Sequence, residues 1–266
     1  MTVMAAPDPF TTLCADIDQI IGYASTHQPR SLQQQLGPSD LGSPCDRRLG
    51  FQLARIPPCN FPSKWEAYIG TAVHAKLASD FALVPLPDGS PRFLVEQKLP
   101  IGHITPDVLE GTSDLYDRLT GIVFDWKIVG KDSLARYRRH GPGPRYRIQD
   151  HTYGLGWRLR GYPVRAVGIG FLPRSDRYDK RLFWHEPYNE AIAMHAIQRA
   201  NGIAAAIVQS GPAIVPQLRT AADDCFFCPW FKTGTGDLTR ACPGDLDLPR
   251  PSRPLADLYP APKELA

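Results

Sequence analysis

A short hairpin in the stretch GTSDLYDRLTGIVFDWK, Gly111 to Lys127, is expected to bring two of its three aspartates and its lysine to one spot. Its second half, Ile122 to Val129, reads IVFDWKIV and is a strand by its β-branched and aromatic content. Alternation sends Ile122, Phe124, Trp126 and Ile128 to one face and Val123, Asp125, Lys127 and Val129 to the other. Asp125 and Lys127 are therefore same-face neighbours. If Arg118 to Gly121 make a four-residue turn with Gly121 at positive φ, then Asp117 pairs with Ile122 and Asp114 falls opposite Asp125. Opposed carboxylates, with Cβ atoms about 5 Å apart, repel each other, and a hard divalent ion such as Mg2+ removes the conflict. Lys127 is then placed to meet a phosphate oxygen or an attacking water. The competing reading is a solvated hairpin whose aspartates never meet.

Other residues have types and spacings that join this group. His74 follows Gly70 by four positions in a helical stretch, so the two share a face and Gly70 leaves room for a close approach. Glu96, in the strand FLVEQKL ahead of the hairpin, reaches the same point directly or through water, or is an ordinary solvent-facing strand residue. His103 reads as a loop residue. Gln149 and Tyr153 are also four apart, on a helix, where an amide and a phenol could contact DNA; an amphipathic helix with a tyrosine at its margin accounts for them as well. Between hairpin and helix lie Lys131, Arg136, Arg138, Arg139, Arg145 and Arg147 against the single acid Asp132. With Tyr137 and Tyr146 among them, they read as a basic loop able to bind phosphates and stack on a base, or else as a solvated charged loop.

The cysteines form a second set. Cys225 and Cys228 are a C-x2-C pair, Cys242 follows, and a four-ligand site needs one more thiolate. Cys45 is the choice, because it begins a helix, where a thiol is more readily ionised. Four thiolates suit Zn2+ or a 4Fe-4S cluster equally. Cys14 and Cys59 read as buried apolar residues, with Cys59 the substitute for Cys45. Three disulfides would need an oxidising compartment, but MTVMAAPDPFTTLCADID lacks the basic and then apolar blocks of a signal peptide, so the chain reads as cytoplasmic.

The elements that must hold these residues follow from periodicity. Helices are expected over Phe10–Ser25, from Ser43 or Pro44 onward, over Trp65–Phe81, over Arg147–Arg160 (stopped by Gly161) and over Tyr188–Gln209. Strands are expected over Phe93–Leu99, Leu109–Tyr116, Ile122–Val129, Val164–Leu172 and Arg181–His185. Ala221 to Gly244 is irregular, and the proline-rich 246–266 reads as an extended tail. This order favours one α/β core over two domains: an N-terminal helical part (1–64), a core (65–212), a cysteine segment (213–245) and the tail. With 266 residues, 43% hydrophobic and 21% charged, and no apolar run of membrane-spanning length, the composition is globular. A net charge of +3 is too small to demand a polyanionic partner.

Taken in order, GxxxH at Gly70–His74, Glu96, GTSD ending at Asp114, DWK at Asp125–Lys127 and QDHTY at Gln149–Tyr153 resemble the RecB-type nucleases of the PD-(D/E)xK superfamily. One cysteine near the N-terminus and three near the C-terminus resemble more narrowly its iron-sulfur members, which include CRISPR-associated exonucleases, their phage-encoded relatives and the AddB nuclease domain. The resemblance spans roughly Ser39 to Gly244. It implies a restriction-endonuclease-like core, with a central mixed sheet flanked by helices, and an iron-sulfur clasp joining the chain ends through Cys45, Cys225, Cys228 and Cys242. It implies that His74, Asp114, Asp125 and the backbone carbonyl of Trp126 bind Mg2+ or Mn2+, and that Lys127 orients the water and steadies the phosphate. Gln149 and Tyr153 match the QxxxY motif close to the active site and DNA, and Glu96 matches an accessory acidic position. The implied activity is metal-dependent exonucleolytic hydrolysis of single-stranded or duplex DNA ends, in recombination, repair or CRISPR adaptation, as a homo-oligomer or with a protein partner. The alternative is a non-catalytic DNA-end-binding or partner-binding protein. Two departures stand out: thirteen residues separate Cys228 from Cys242, and Ser113 replaces the proline of the PD signature.

Overall fold

The computed structural model describes residues 9–26, 35–61, 65–222 and 225–245. Five strands lie in chain order across one mixed sheet: β1 (Phe93–Ile104), β2 (Asp107–Asp117), β3 (Ile122–Val129), β4 (Ala166–Pro173) and β5 (Leu182–Pro187). β1, β2 and β3 form an antiparallel meander, β4 runs parallel to β3, and β5 returns antiparallel to β4. The parallel step needs a crossover, which α5 (Lys131–His140) and α6 (Gly143–Leu159) supply.

Helices cover both faces of the sheet. α4 (Trp65–Phe81) lays Leu77 and Phe81 onto Leu115, Trp126 and Leu172. α6 and α7 (Glu190–Ser210) close a larger core that includes Tyr116, Val123, Trp157, Val167, Ala200 and Ile203. α6 is buried at every position from Gln149 to Trp157. α7 is long and apolar enough for a membrane span, but it packs Ala193, Ala196, Ile197, Ala200, Ile203 and Ala204 into this core. Gly168 and Gly170 of β4 sit opposite Phe124 and Trp126; a Cβ at Gly170 would come 2.7 Å from the Trp126 ring, so the GIG sequence makes room for aromatic neighbours.

The N-terminal part holds α1 (Pro9–Thr26), the short α2 (Pro38–Leu41) and α3 (Asp46–Leu53), with Cys45 as the N-cap residue of α3. Three expectations are corrected. β1 continues to Ile104, so His103 is a strand residue opposite Val108, not a loop residue. Residues 131–140 form a helix instead of a basic loop, because Leu134 and Tyr137, three apart, bury against Val129, Ile169 and Phe171 while the arginines face outward. α6 accordingly begins at Gly143, with a proline in its first turn, and not at Arg147. The expected tail, 246–266, lies outside the described residues.

Candidate metal and phosphate site

The β2–β3 hairpin sets the site. Asp117 pairs with Ile122, Tyr116 with Val123 and Leu115 with Phe124. Gly121 closes the turn at φ 71°, and its N–H donates to the Asp117 carbonyl at 2.8 Å. The Asp117 carboxylate locks this end: it accepts from Arg92 Nε and Nη2 at 2.9 Å each, Thr120 Oγ1 at 2.8 Å and the Leu119 N–H at 3.1 Å. One step beyond the last ladder pair stand Asp114 and Asp125. On the other side of β2, Val95 pairs with Leu115 and Gln97 with Ser113, which leaves Glu96 facing Asp114 in the interrupted ladder. Three acids thus form a row across three adjacent strands.

Each acid has a different environment. Asp114 Oδ2 accepts the Trp126 N–H at 2.8 Å and meets His74 Nδ1, reaching in from α4, at 3.4 Å. Asp125 is 2% exposed; its Oδ1 accepts from Gln149 Nε2 at 3.1 Å, and its Oδ2 is ion-paired with Lys127. Lys127 Nζ donates to Gln149 Oε1 at 3.3 Å and sits 4.9 Å from the Tyr146 ring centroid. Gln149 is held in turn by Tyr153, 3.4 Å away. Glu96 takes a left-handed backbone, φ 48°, and its carboxylate joins His74 and Asp114 so that their ligand atoms lie within 4.8 Å of one another.

Burial and charge separate the titrating groups. Burial pushes the Asp125 carboxyl up against the pull of Lys127. In Asp114 the same burial is outweighed by the His74 hydrogen bond and charge, and the carboxylate is held low. Burial acts downward on His74 and Lys127, but carboxylates overcome it: Asp114 raises His74, and Asp125, Asp114 and Asp150 raise Lys127. The Lys127 ammonium is therefore secured near neutral pH.

Asp150 escaped the sequence reading. It is completely buried, neither carboxylate oxygen has a hydrogen-bond partner, and burial plus the Asp125 charge hold its carboxyl well above the ordinary range. Only its place beside Gln149 on an all-round buried helix could have flagged it. Its neighbour His151 bonds Glu186 at 2.9 Å.

The donor set fits a hard divalent ion. Carboxylate oxygens and an imidazole nitrogen converge from α4, β1 and β2, beside the buried Asp125 carboxylate that Lys127 and Gln149 hold.

The basic segment is less uniform than its sequence. Lys131, Arg136, Arg138 and Arg139 are exposed on α5, and Arg145 is half-buried at the start of α6. Arg147 is engaged: its Nε and Nη2 donate to Glu186 at 2.7 and 2.8 Å. Arg138 Nη2 donates to the Lys180 carbonyl at 2.7 Å. The expected base-stacking role of the two tyrosines is not met: Tyr137 is buried and stacked on Phe171 at 4.5 Å, and Tyr146 packs between them and Lys127.

Cys45, Cys225, Cys228 and Cys242 line one small pocket together with Arg47, and none forms a disulfide. A bridge between Phe231 and Cys242, with Cys242 N–H donating to the Trp230 carbonyl at 2.7 Å, folds the thirteen-residue interval back onto the C-x2-C pair. Burial, followed by weaker effects that include the Cys45 and Cys242 charges, pushes the Cys228 thiol up to about 11. Cys59 is exposed, against the expectation of a buried residue, and is absent from this pocket's lining.

No family model and no curated protein matches the chain. Among solved structures the fold is similar to that of an alkaline exonuclease, LHK-Exo from Laribacter hongkongensis, at 9% identity and a TM-score of 0.45. LHK-Exo in complex with dAMP is similar at 10% identity and a TM-score of 0.47. In both comparisons 69% of this chain and 93% of the other are covered.

Proposed function

We propose that the chain is a Mg2+- or Mn2+-dependent DNA exonuclease hydrolysing phosphodiester bonds at DNA ends, in recombination, repair or CRISPR adaptation. The observation that supports this reading is two adjoining sets of side chains at the β2–β3 hairpin, His74 with Asp114 and Asp125 with Lys127 and Gln149, brought there from α4, β2, β3 and α6. His74, Asp114, Asp125 and the Trp126 carbonyl would hold the ion, with Glu96 as the accessory acid. A divalent ion bound there supplies Lewis-acid polarisation of the scissile phosphate and acidifies water. Lys127 holds its ammonium against the charge that builds on the phosphate in the transition state. Gln149 fixes Lys127 and Asp125 at once, accepting from one and donating to the other, and Tyr153 fixes Gln149. Lys131, Arg136, Arg139 and Arg145 offer cationic surface to the DNA backbone. Digestion of end-labelled single-stranded and duplex DNA with Mg2+, Mn2+ or EDTA tests the reading. Metal-dependent release of terminal nucleotides that is lost in Asp114→Ala and Lys127→Ala is expected; retained metal-dependent cleavage by either folded variant overturns it, and so does end binding without cleavage by the native chain.

The same proposal includes a 4Fe-4S cluster held by Cys45, Cys225, Cys228 and Cys242. The shared pocket of four free thiols, drawn from both ends of the described chain, supports it. Purification without air should yield a coloured protein containing iron and acid-labile sulfide in equal amounts, whereas a colourless protein containing zinc would replace the cluster by Zn2+.

A further inference from the structure

Three arginines surround the start of α3, and they are not equally paired. Arg199 of α7 donates through Nη2 to the Leu41 and Ser43 carbonyls at 3.0 and 2.6 Å, and Arg219 Nη2 donates to the Pro44 carbonyl at 3.3 Å. Both rest on the Asp46 carboxylate, 3.6 Å from Arg199 Nε and 3.3 Å from Arg219 Nε. Arg47, the next residue along α3, is placed differently. It is 5% exposed, forms no ion pair among the described residues, and its buried Nε has no hydrogen-bond acceptor. Its Nη2 donates to the Pro216 carbonyl, and its Nη1 donates toward the Cys242 sulfur, 3.9 Å away.

This guanidinium faces the cysteine pocket, which Arg47 lines together with the four thiols. Asp245, on the same wall, takes a hydrogen bond from Thr220 Oγ1 and does not pair with Arg47. A buried cation without a counter-ion is strongly unfavourable, so its surroundings must supply negative charge. Thiols supply it once a metal takes them as thiolates. With either Zn2+ or a 4Fe-4S core, four thiolates leave the group negative, and one-electron reduction of a cluster adds one charge more. Phe51 and Phe231 wall the same pocket, with Phe51 stacked on Trp230 at 5.5 Å, and their apolar surface leaves the attraction poorly screened. Net charge and hydrogen bonds to ligand sulfurs are the quantities that set a cluster's potential.

We infer that Arg47 is the counter-charge of the metal-thiolate group, a positioning residue that donates to Cys242 Sγ and stabilises the reduced state of a bound cluster. The inference rests on the metal-thiolate part of the proposed function and is independent of DNA cleavage. The full chain, purified without air and with its metal identified by elemental analysis, is reduced stepwise and followed by EPR. Arg47→Met should lower the midpoint potential by about 59 mV, a tenfold loss of the reduced state in a one-electron couple. Arg47→Lys keeps the charge and should fall between that variant and the native chain. In native chain grown with 15N-arginine, pulsed EPR of the reduced cluster should show a coupled nitrogen, which tests the contact if neither variant folds. An unchanged midpoint in Arg47→Met, or no 15N coupling in the native chain, would overturn the inference while leaving the cluster in place. Zinc without iron replaces the cluster and moves the test to zinc release. A chelator should then take zinc about ten-fold faster from Arg47→Met than from the native chain, with Arg47→Lys between them, and equal rates overturn the inference. A native chain holding neither metal overturns both readings.

Discussion

Replacing Lys127 by methionine isolates the electrostatics of the carboxylate row. The ammonium is ion-paired with Asp125, whose side chain is 3% exposed, and it also lowers the energy of ionised Asp114. Removing one member of a buried pair costs about 3–5 kcal/mol. With about 2.1 cal/mol/K of unfolding entropy per residue, a chain of 266 residues has about 0.56 kcal/mol/K, so Lys127→Met should melt about 5–9 °C below the native chain in EDTA. Asp125 is already raised by burial, and without Lys127 its protonation becomes the escape. The loss is therefore largest at neutral and alkaline pH and shrinks as acid protonates the carboxyl. A divalent ion supplies the missing positive charge, so Mn2+ should raise the melting temperature of Lys127→Met more than that of the native chain, where the ion competes with the ammonium. Scanning calorimetry of both proteins, with EDTA and with Mn2+ at pH 5 and pH 8, reads all eight values. Melting within about 2 °C of the native chain in EDTA, or equal shifts on adding Mn2+, would refute the assignment of Lys127 as the counter-charge of the site.

Three further predictions concern the frame. Asp117→Ala should cost about 2–3 kcal/mol, because charge-assisted bonds to Arg92 are lost with the turn contacts. The folded Asp117 carboxyl lies below its ordinary value, where the Arg92 and Thr120 bonds outweigh burial, so its contribution is complete above about pH 4 and fades as pH falls further; urea midpoints across pH 2.5–7 should converge for the two proteins only at the acid end. Gly170→Ala should cost about 1–3 kcal/mol by overpacking, since the added methyl meets the Trp126 ring at 2.7 Å, and unchanged thermal stability would show that the ring moves freely. Cys228→Ser should strip iron and visible colour from anaerobically purified protein, and native iron content in that variant would remove Cys228 from the ligand set.

Local chemistry made parts of the frame legible. α4 runs from Trp65 to Phe81 as expected, and Gly121 made the hairpin readable because four residues at that turn leave one pairing that buries alternate side chains. The α5 segment was not legible: two apolar residues among basic ones carry its helix, and their value appears only once Phe171 lies beneath them. Asp150 was hidden for a related reason. An acid next to Gln149 reads as solvent-facing unless α6 is known to be buried on every side. The alignment of Glu96 with Asp114 depends on pairing between β1 and β2, which no spacing within one strand encodes.

Glu96 carries one more consequence. A residue with a Cβ held at φ 48° gives up on the order of 1 kcal/mol relative to glycine. A chain selected for folding alone would place glycine or asparagine there, so stability screens and consensus design applied to this protein should converge on removing the very acid that faces Asp114. On the proposed metal-site reading, the most heat-resistant variants drawn from such a library should bind Mn2+ more weakly than the native chain.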